Sequence, residues 1–285
     1  MIDFHSHTKA SDGEFSPQEL TNLAIQKHMT AIAITDHDTV DGLEEAEEYA
    51  KDKDIMLIPG IELEAKVEKG QMHILGLFID YNNKEFKDKL NAIREYRNSR
   101  NDKFIEEFNR IGVEISLEEL IKESNGKTIG KPHFARIFLQ KGYVQTKDEM
   151  FDQYFHQEPF NKFKKSFYTP EEVITMIKKV NGIAILAHPQ SLKLEDNELI
   201  DKIKELKGYG LDGMECYHTK QTEEEMRRFN EIAKEYNLLI TKGSDFHGPI
   251  IKPETQLGTG KNNNIVIYEE DKMLEDILKY RETMW

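Results

Sequence analysis

Two spacings of apolar residues take turns along the chain. Short, continuous apolar runs of the kind found in strands buried on both faces alternate with stretches whose apolar residues recur at helical spacing. Residues 2–5 open the series as a strand. Ser16-Pro17-Gln18-Glu19 then starts a helix, with Ser as the cap, Pro at the first helical position and Glu three residues after the cap. Leu20, Leu23, Ala24 and Met29 continue it at roughly helical spacing. AIAIT at 31–35 is the second strand, 43–51 a helix, and 55–58 and 72–79 the third and fourth strands.

The alternation then stops. Residues 84–165 predict polar helices over about 84–111, 117–124, 131–141 and 148–155, with an aromatic-rich stretch at 154–167. It resumes at Thr169-Pro170-Glu171-Glu172, a second capped helix start. Strands follow at 183–187, 212–216 and 238–241, separated by helices at about 197–207 and 222–236, and an apolar run at 265–268 precedes a last helix near 270–281. Seven strands alternating with helices predict a parallel α/β fold. The simplest architecture is a barrel formed by 1–84 and 166–285, with 85–165 as a helical insertion in one strand-to-helix loop. An open doubly wound sheet is weaker, because no glycine-rich phosphate loop follows any strand.

Composition narrows the function classes. No apolar run approaches the ~20 residues that span a bilayer, and MIDFHSHTKASDGEF lacks the basic region and apolar core of an export signal. The single cysteine, Cys216, excludes an internal disulfide framework. A cytoplasmic protein is expected, with no membrane partner and no protein partner evident. The net charge of −14 argues against duplex nucleic acid, which requires a cationic face. That charge is uneven: 85–165 carries 16 Lys+Arg and 14 Asp+Glu, a net of +2, which leaves −16 on the remainder. Ser124 to Lys147 contains Lys127, Lys131, Arg136, Lys141 and Lys147 and no acid.

In parallel α/β folds the reactive groups gather where strands end. Here those ends carry His5-Ser6-His7 and Asp12, then Asp36-His37-Asp38, Glu62 and Glu64, His73, His188, Glu215 to His218, and Asp245-Phe246-His247. In extended backbone, residues two apart face the same side, so His5 and His7 point together, as do Asp245 and His247. Seven of the ten histidines fall at predicted strand ends, and mixed imidazole and carboxylate donors suit Zn, Mn or Fe. His28 and His156 are expected to be structural, and Cys216 a small buried apolar side chain. Asp36 and Asp38 are expected to support the ligands from behind.

FHSHTKASDG (4–13), AITDHDTVDG (33–42), PGIELE (59–64), MHILGLF (72–78), ILAHP (185–189) and KGSDFHG (242–248) occur in an order that resembles the PHP (polymerase and histidinol phosphatase) family of metal-dependent phosphoesterases. The resemblance implies a distorted seven-stranded (β/α) barrel holding two to three divalent ions (Mn, Fe or Zn). It assigns His5, His7, Glu62 and Asp245 to a first metal. A second would share Glu62 and add His73 and His188, and a third would take Asp12, His37 and His247. Two such metals would hold a bridging hydroxide for attack on phosphorus, with Glu62 and Asp245 at the reacting centre. His218 would contact phosphate, donate a proton to the leaving oxygen, or orient a ligand. Without cations, the clustered carboxylates are expected to repel one another.

Gly130-Lys131-Pro132-His133-Phe134-Ala135-Arg136 resembles an element of one branch of that family. That branch hydrolyses nucleoside 3′,5′-bisphosphates and removes nucleotides from the 5′ ends of short RNAs. The resemblance implies Lys131, His133 and Arg136 as substrate contacts, with Phe134 either stacking on a nucleoside or packing the helix. The implied partner is a small phosphorylated substrate, a nucleotide or a short single-stranded oligonucleotide. Histidinol phosphate is the alternative substrate. An amidohydrolase that cleaves C–N bonds and a non-enzymatic regulatory barrel are further readings.

Overall fold

The computed structural model describes residues 1–124, 129–163, 167–268 and 270–284. Seven strands form one sheet in chain order: β1 (Ile2–Asp3), β2 (Ala31–Ile34), β3 (Met56–Ala65), β4 (Met72–Leu77), β5 (Ile183–Leu186), β6 (Gly213–His218) and β7 (Leu239–Gly243). A small two-stranded ribbon follows, β8 (Thr255–Gln256) and β9 (Gly260–Lys261). The helices are α1 (Pro17–Gln26), α2 (Leu43–Ala50), α3 (Lys84–Arg110), α4 (Leu117–Glu123), α5 (Lys131–Gln140), α6 (Lys147–Met150), α7 (Pro170–Lys179), α8 (Asp196–Tyr209), α9 (Glu223–Glu235) and α10 (Glu270–Glu282). Both predicted capping boxes form, at Ser16 with Glu19 and at Thr169 with Glu172. No helix of the described residues is long and apolar enough to cross a membrane.

The sheet is not parallel throughout. β1–β2, β2–β3, β5–β6 and β6–β7 are parallel, but β4 is antiparallel to both β3 and β5. Only residues 66–71 join β3 to β4. A parallel crossover takes a dozen or more residues, so the chain turns straight back. This reversal puts the beginning of β4, with His73, where the parallel strands end. β3 also runs well past the predicted 55–58. Its Pro59-Gly60 reads as a turn signal but is strand: a Cβ on Gly60 would lie 3.0 Å from the carbonyl oxygens of Ile34 and Gly76, so glycine permits close backbone approach there. The run at 265–268 is not a strand. Ile265 is fully buried, but Val266 and Tyr268 are exposed, and the segment has no pairing partner among the described residues.

The edges of the sheet meet. Phe4 N–H donates to Lys242 O at 3.0 Å, Asp245 N–H to His5 O at 2.9 Å and His7 N–H to Phe246 O at 2.9 Å. The buried carboxylate of Asp3 fastens this seam, accepting from Ser244 N–H (3.0 Å), Ser244 Oγ (2.5 Å) and Gly258 N–H (2.8 Å). The alternating side chains of the strands divide the core in two. Ile2, Ala31, Ile58, Leu75 and Ile183 face inward, where Met273, Leu274 and Ile277 of α10 plug the end at which the parallel strands begin. Ile32, Ile34, Ile74 and Leu186 face outward against the helices. The opposite end stays open.

Over that end lies the segment between β4 and α7. α3 enters it from the barrel, with Phe86, Leu90 and Ile93 in the outer barrel core. Its second half carries Phe104 and Phe108 into a separate apolar cluster with Phe134, Phe138, Phe155 and Phe160. Phe134 is completely buried there, 5.7 Å ring to ring from Phe104, so it packs the helix. The helix expected over 148–155 starts at Lys147 and relaxes after Met150 into a π-helical turn, Phe151–Phe155. Lys127 and the 165/166 boundary lie outside the described residues.

Candidate metal centre

The open end of the barrel gathers the nine predicted ligand residues around Glu62. Its Oε1 lies 2.6 Å from His73 Nδ1 and 3.0 Å from His188 Nε2. Its Oε2 lies 3.0 Å from His37 Nδ1, 3.2 Å from His5 Nε2 and 3.3 Å from His7 Nε2. One carboxylate on β3 thus touches five imidazoles. Asp245 Oδ1 approaches His7 Nε2 at 3.2 Å and His247 Nδ1 at 3.3 Å, while Oδ2 faces His218 Nε2 at 3.4 Å and pairs with Lys252. Asp12 Oδ1 lies 3.2 Å from His247 Nε2. Ligand atoms converge within 4.8 Å in four overlapping groups: His7/Asp12/His37/His247, His5/His7/Asp245, His5/Glu62/His188 and His37/Glu62/His73.

The donor set fits divalent cations. His5 Nε2, both ring nitrogens of His7 and Glu62 Oε2 are buried and, although they crowd against opposite charges, none makes an aligned hydrogen bond among the described residues. Buried polar atoms are ordinarily satisfied, so unsatisfied N and O donors aimed at one point are what cation ligands require. The remaining ring nitrogens are held from behind. His5 Nδ1 meets Glu215 Oε1 at 3.0 Å, His188 Nδ1 meets Ser191 Oγ at 2.8 Å, and His247 Nδ1 meets Asp245 O at 2.9 Å. Such partners fix ring orientation and raise ligand basicity.

Burial opposes charge everywhere in the cluster, and opposite charges overcome it at several positions. Burial disfavours the charged form of His7, yet Asp245 and Glu62 raise its pKa to about 9. His5 is likewise buried but is held well above the usual imidazole range by Glu62 and Glu215. Burial drives His188 down to about 4 and, with Lys252 and His7 beside it, His247 to about 3. Despite burial, Asp12, Glu62 and Asp245 lie well below the usual carboxylate range, because imidazoles surround each, with Lys252 also beside Asp245. Imidazole and ammonium groups stand among the carboxylates, and their attraction outweighs the expected repulsion.

Local backbone geometry aims these side chains. Asp245 has φ 54° and His188 φ 27°, in the left-handed region that non-glycine residues seldom adopt. Asp36 accepts from Thr8 N–H (2.8 Å), Thr8 Oγ1 (2.6 Å) and Ser11 Oγ (2.5 Å), which fixes the loop from His7 to Asp12. Asp38 pairs with Arg97 of α3. At Gly243 a Cβ would come within 2.3 Å of His5 Cβ and 2.2 Å of Glu215 Oε1, so only glycine lets β7 pass there.

A cavity of about 250 Å³ opens above the cluster, and Arg97, Arg100, Lys131, Lys147, Lys220 and Lys252 are among the residues lining it. The acid-free segment contributes only in part. Lys131 and Lys147 line the cavity. Arg136 is turned away from it, with Nε 2.5 Å from Glu123 Oε1, and Lys141 pairs with Glu119 at 2.6 Å. His133 is buried, its Nδ1 accepting from Gly130 N–H at 3.0 Å at the start of α5. Burial, with Arg136 nearby, lowers its pKa to about 4. His156 is exposed beside Asp152, and Cys216 is buried with its thiol pKa pushed up by burial.

The sequence reading missed Glu215 as the partner of His5, and Arg97, Arg100, Lys220 and Lys252 as cations of the cavity wall. Arg97 and Arg100 stand three apart on a helix and so share a face, a signal present in the sequence. Lys252 is delivered by an irregular loop, which carries no such signal.

Comparison with known proteins places this geometry in context. The PHP domain family matches residues 3–250. A 5′-3′ exoribonuclease of Haemophilus influenzae is 31% identical over 247 residues, covering 87% of this chain and 90% of that one. A 3′,5′-nucleoside bisphosphate phosphatase of Chromobacterium violaceum is 27% identical over 249 residues, covering 87% of each. A crystal structure from Bifidobacterium adolescentis, assigned as a metal-dependent phosphoesterase, superposes with a TM-score of 0.82 at 28% identity, covering 98% of this chain and 95% of that one.

Proposed function

The chain belongs to the PHP domain family and is a metal-dependent phosphoric ester hydrolase; from that premise we propose that its substrates are nucleoside 3′,5′-bisphosphates and the 5′ ends of short single-stranded oligoribonucleotides. The observation that carries this reading is a ring of cationic side chains around a cavity whose floor is the nine-residue donor cluster. Relatives of similar length act on both kinds of substrate. A substrate with more than one phosphate uses both parts: one phosphate on the floor and another on the wall.

His5, His7, Glu62 and Asp245 would hold one cation, with Glu62 shared by a second at His73 and His188, and Asp12, His37 and His247 around a third. Two to three divalent ions there would supply Lewis acidity, ionising a water near neutral pH and neutralising phosphoryl charge. Manganese, iron and zinc all suit these donors. Glu62 and Asp245 keep their negative charge and orient the imidazoles that they touch.

His218 is a phosphate contact of the proposed reaction. Its Nδ1 accepts from Lys220 N–H at 3.2 Å and faces the Gln190 amide nitrogen at 3.1 Å. With Nδ1 accepting, the ring proton sits on Nε2, the nitrogen that faces Asp245 and the cavity. That N–H donates a hydrogen bond to a phosphoryl oxygen of the substrate. Lys131 contacts substrate directly, whereas His133 fixes the start of α5 that presents it and Arg136 ties α5 to α4 through Glu123.

The test is phosphate release from nucleoside 3′,5′-bisphosphates, and mononucleotide release from short 5′-phosphorylated RNAs, by protein loaded with Mn²⁺. Turnover of either is expected. Turnover of neither, with bound metal confirmed by elemental analysis, overturns the substrate assignment.

A further inference from the structure

The cavity above the donor cluster is small. At about 250 Å³ it falls short of the ~300–1,000 Å³ typical of sites that enclose a whole small molecule. A nucleotide chain with a phosphate on the cluster must therefore extend beyond it. Two neighbouring cavities could receive it. One, of about 230 Å³, adjoins only at Arg100 and has room for a single group. The other, of about 1,380 Å³, shares Lys147, Phe151, Lys220 and Lys252 with the central cavity and runs outward as a trough between the π-helical turn and the loops around β8 and β9.

The threshold between the two has the chemistry of a nucleotide subsite. Lys147, Lys220 and Lys252 line both cavities, and Lys147 feels the positive charge of the other two. Lys252 is paired with Asp245. Among the described residues, neither Lys147 nor Lys220 is within ion-pair distance of a carboxylate, and Asp12 and Asp245 act on Lys147 only from farther off. Phe151 stands beside them, half-buried, at the first position of the π-helical turn. Such turns recur at functional sites. The Phe151 ring meets Phe155 and His156 and has the ammonium groups of Lys131 and Lys147 each 5.9 Å from its centroid, and an aromatic ring beside cationic groups is the arrangement on which single-stranded bases stack. Farther out, Lys261, Asn262, Asn263 and Asn264 supply polar groups at the trough wall.

We propose that this trough is the path of the oligonucleotide beyond the reacting phosphate. The threshold lysines bind the next phosphate along the chain, Phe151 stacks the base that follows, and the β9 turn accompanies later nucleotides. This rests on the nucleotide reading above and adds to it a direction and a set of contacts. It makes the trough a device for selecting length: a bisphosphate has no further nucleotide to lay on Phe151, whereas a tetranucleotide has.

The experiment uses the full Mn²⁺-loaded chain with two substrates, a nucleoside 3′,5′-bisphosphate and a 5′-phosphorylated tetraribonucleotide. Phe151→Leu keeps apolar packing but removes the aromatic face. Asn263→Asp adds a negative charge at the trough wall. Each is expected to lower kcat/KM for the tetranucleotide roughly tenfold, in keeping with loss of one stacked base, and to change the bisphosphate value less than threefold. Lys147→Gln is expected to lower both values. It should also reduce the slope of log Kd against log salt for the tetranucleotide by about 0.7, as expected for one lost phosphate contact to a single strand. Equal effects of Phe151→Leu and Asn263→Asp on the two substrates, or no effect on either, overturn the trough. Fluorescence anisotropy with labelled tetranucleotide separates the two proposals: binding that weakens roughly tenfold in Phe151→Leu supports the trough even if neither substrate is turned over, and binding unchanged by both variants refutes it.

Discussion

Glu215→Gln tests whether the donor cluster is oriented from behind. Glu215 is completely buried, and both of its oxygens accept from N–H groups: Oε1 faces His5 Nδ1 at 3.0 Å and Oε2 accepts from His188 N–H at 2.7 Å. Glutamine has the same shape but only one acceptor oxygen. Whichever way its amide turns, an NH₂ group meets an N–H donor, at His5 or at His188. Leaving one buried donor unsatisfied costs about 1–3 kcal/mol. Either orientation also disturbs a ring or strand end that presents a nitrogen to Glu62. Loss of such supporting groups typically lowers metal affinity by about 10–100-fold, which agrees with that energy at about 1.4 kcal/mol per factor of ten. The assay is activity against free Mn²⁺ in a buffered series, with bound metal per chain measured in parallel. The half-saturating concentration should rise about 10–100-fold, while turnover at saturating metal falls much less. An unchanged metal-dependence curve, with the variant folded, would falsify the orienting role.

Asp245→Asn should lower turnover by orders of magnitude. It should also destabilise the metal-free protein, because it unpairs Lys252 and removes a partner of His7 and His247; a higher midpoint in thermal unfolding without metal would contradict this. Lys242→Met should destabilise by about 3–5 kcal/mol in urea titrations, the usual result of stripping one partner from a buried ion pair, since it leaves Glu270 without the ammonium now 2.7 Å away; a loss under 1 kcal/mol would show the pair to be dispensable. His133 has a folded pKa of about 4, below its ordinary 6.5, so the unfolded chain binds the extra proton as the pH falls between those values. Its contribution therefore diminishes stability on acidification through that window, by about 3 kcal/mol at most. His133→Asn should flatten the stability–pH curve there, and an identical slope in wild type and variant would refute it.

The histidines carried most of the legible signal. His5 and His7, and Asp245 and His247, could be paired from their spacing because they follow strands, where two-residue periodicity forces a shared side. His73 could be placed near the others, but the reason was hidden: it begins a strand that runs backwards, and the shortness of the 66–71 connection was the only local sign. Pro59-Gly60 concealed the length of β3, since the residues that ordinarily break a strand here let neighbouring backbones approach. The charge of the insertion was legible as composition but not as direction. Arg136 and Lys141 in the acid-free segment are neutralised by Glu123 and Glu119, acids of the preceding helix, and nothing local in the sequence shows that contact. Left-handed backbone at His188 and Asp245 was likewise invisible, because residue type does not favour it and the partners that hold it, Glu215 and His5 O, are distant in sequence.

The seam fastened by Asp3 also sets an order of events during synthesis. Asp3 is satisfied by Ser244 and Gly258, residues more than 240 positions downstream. At the ~5–20 residues per second of translation, roughly 10–50 s separate the two ends of that contact. For most of that interval His5, His7, Glu62 and His73 are made, but the strand that encloses them is not. The nascent chain thus carries an incomplete set of cation ligands in open solvent, and the barrel is finished only when its last strand arrives beside its first.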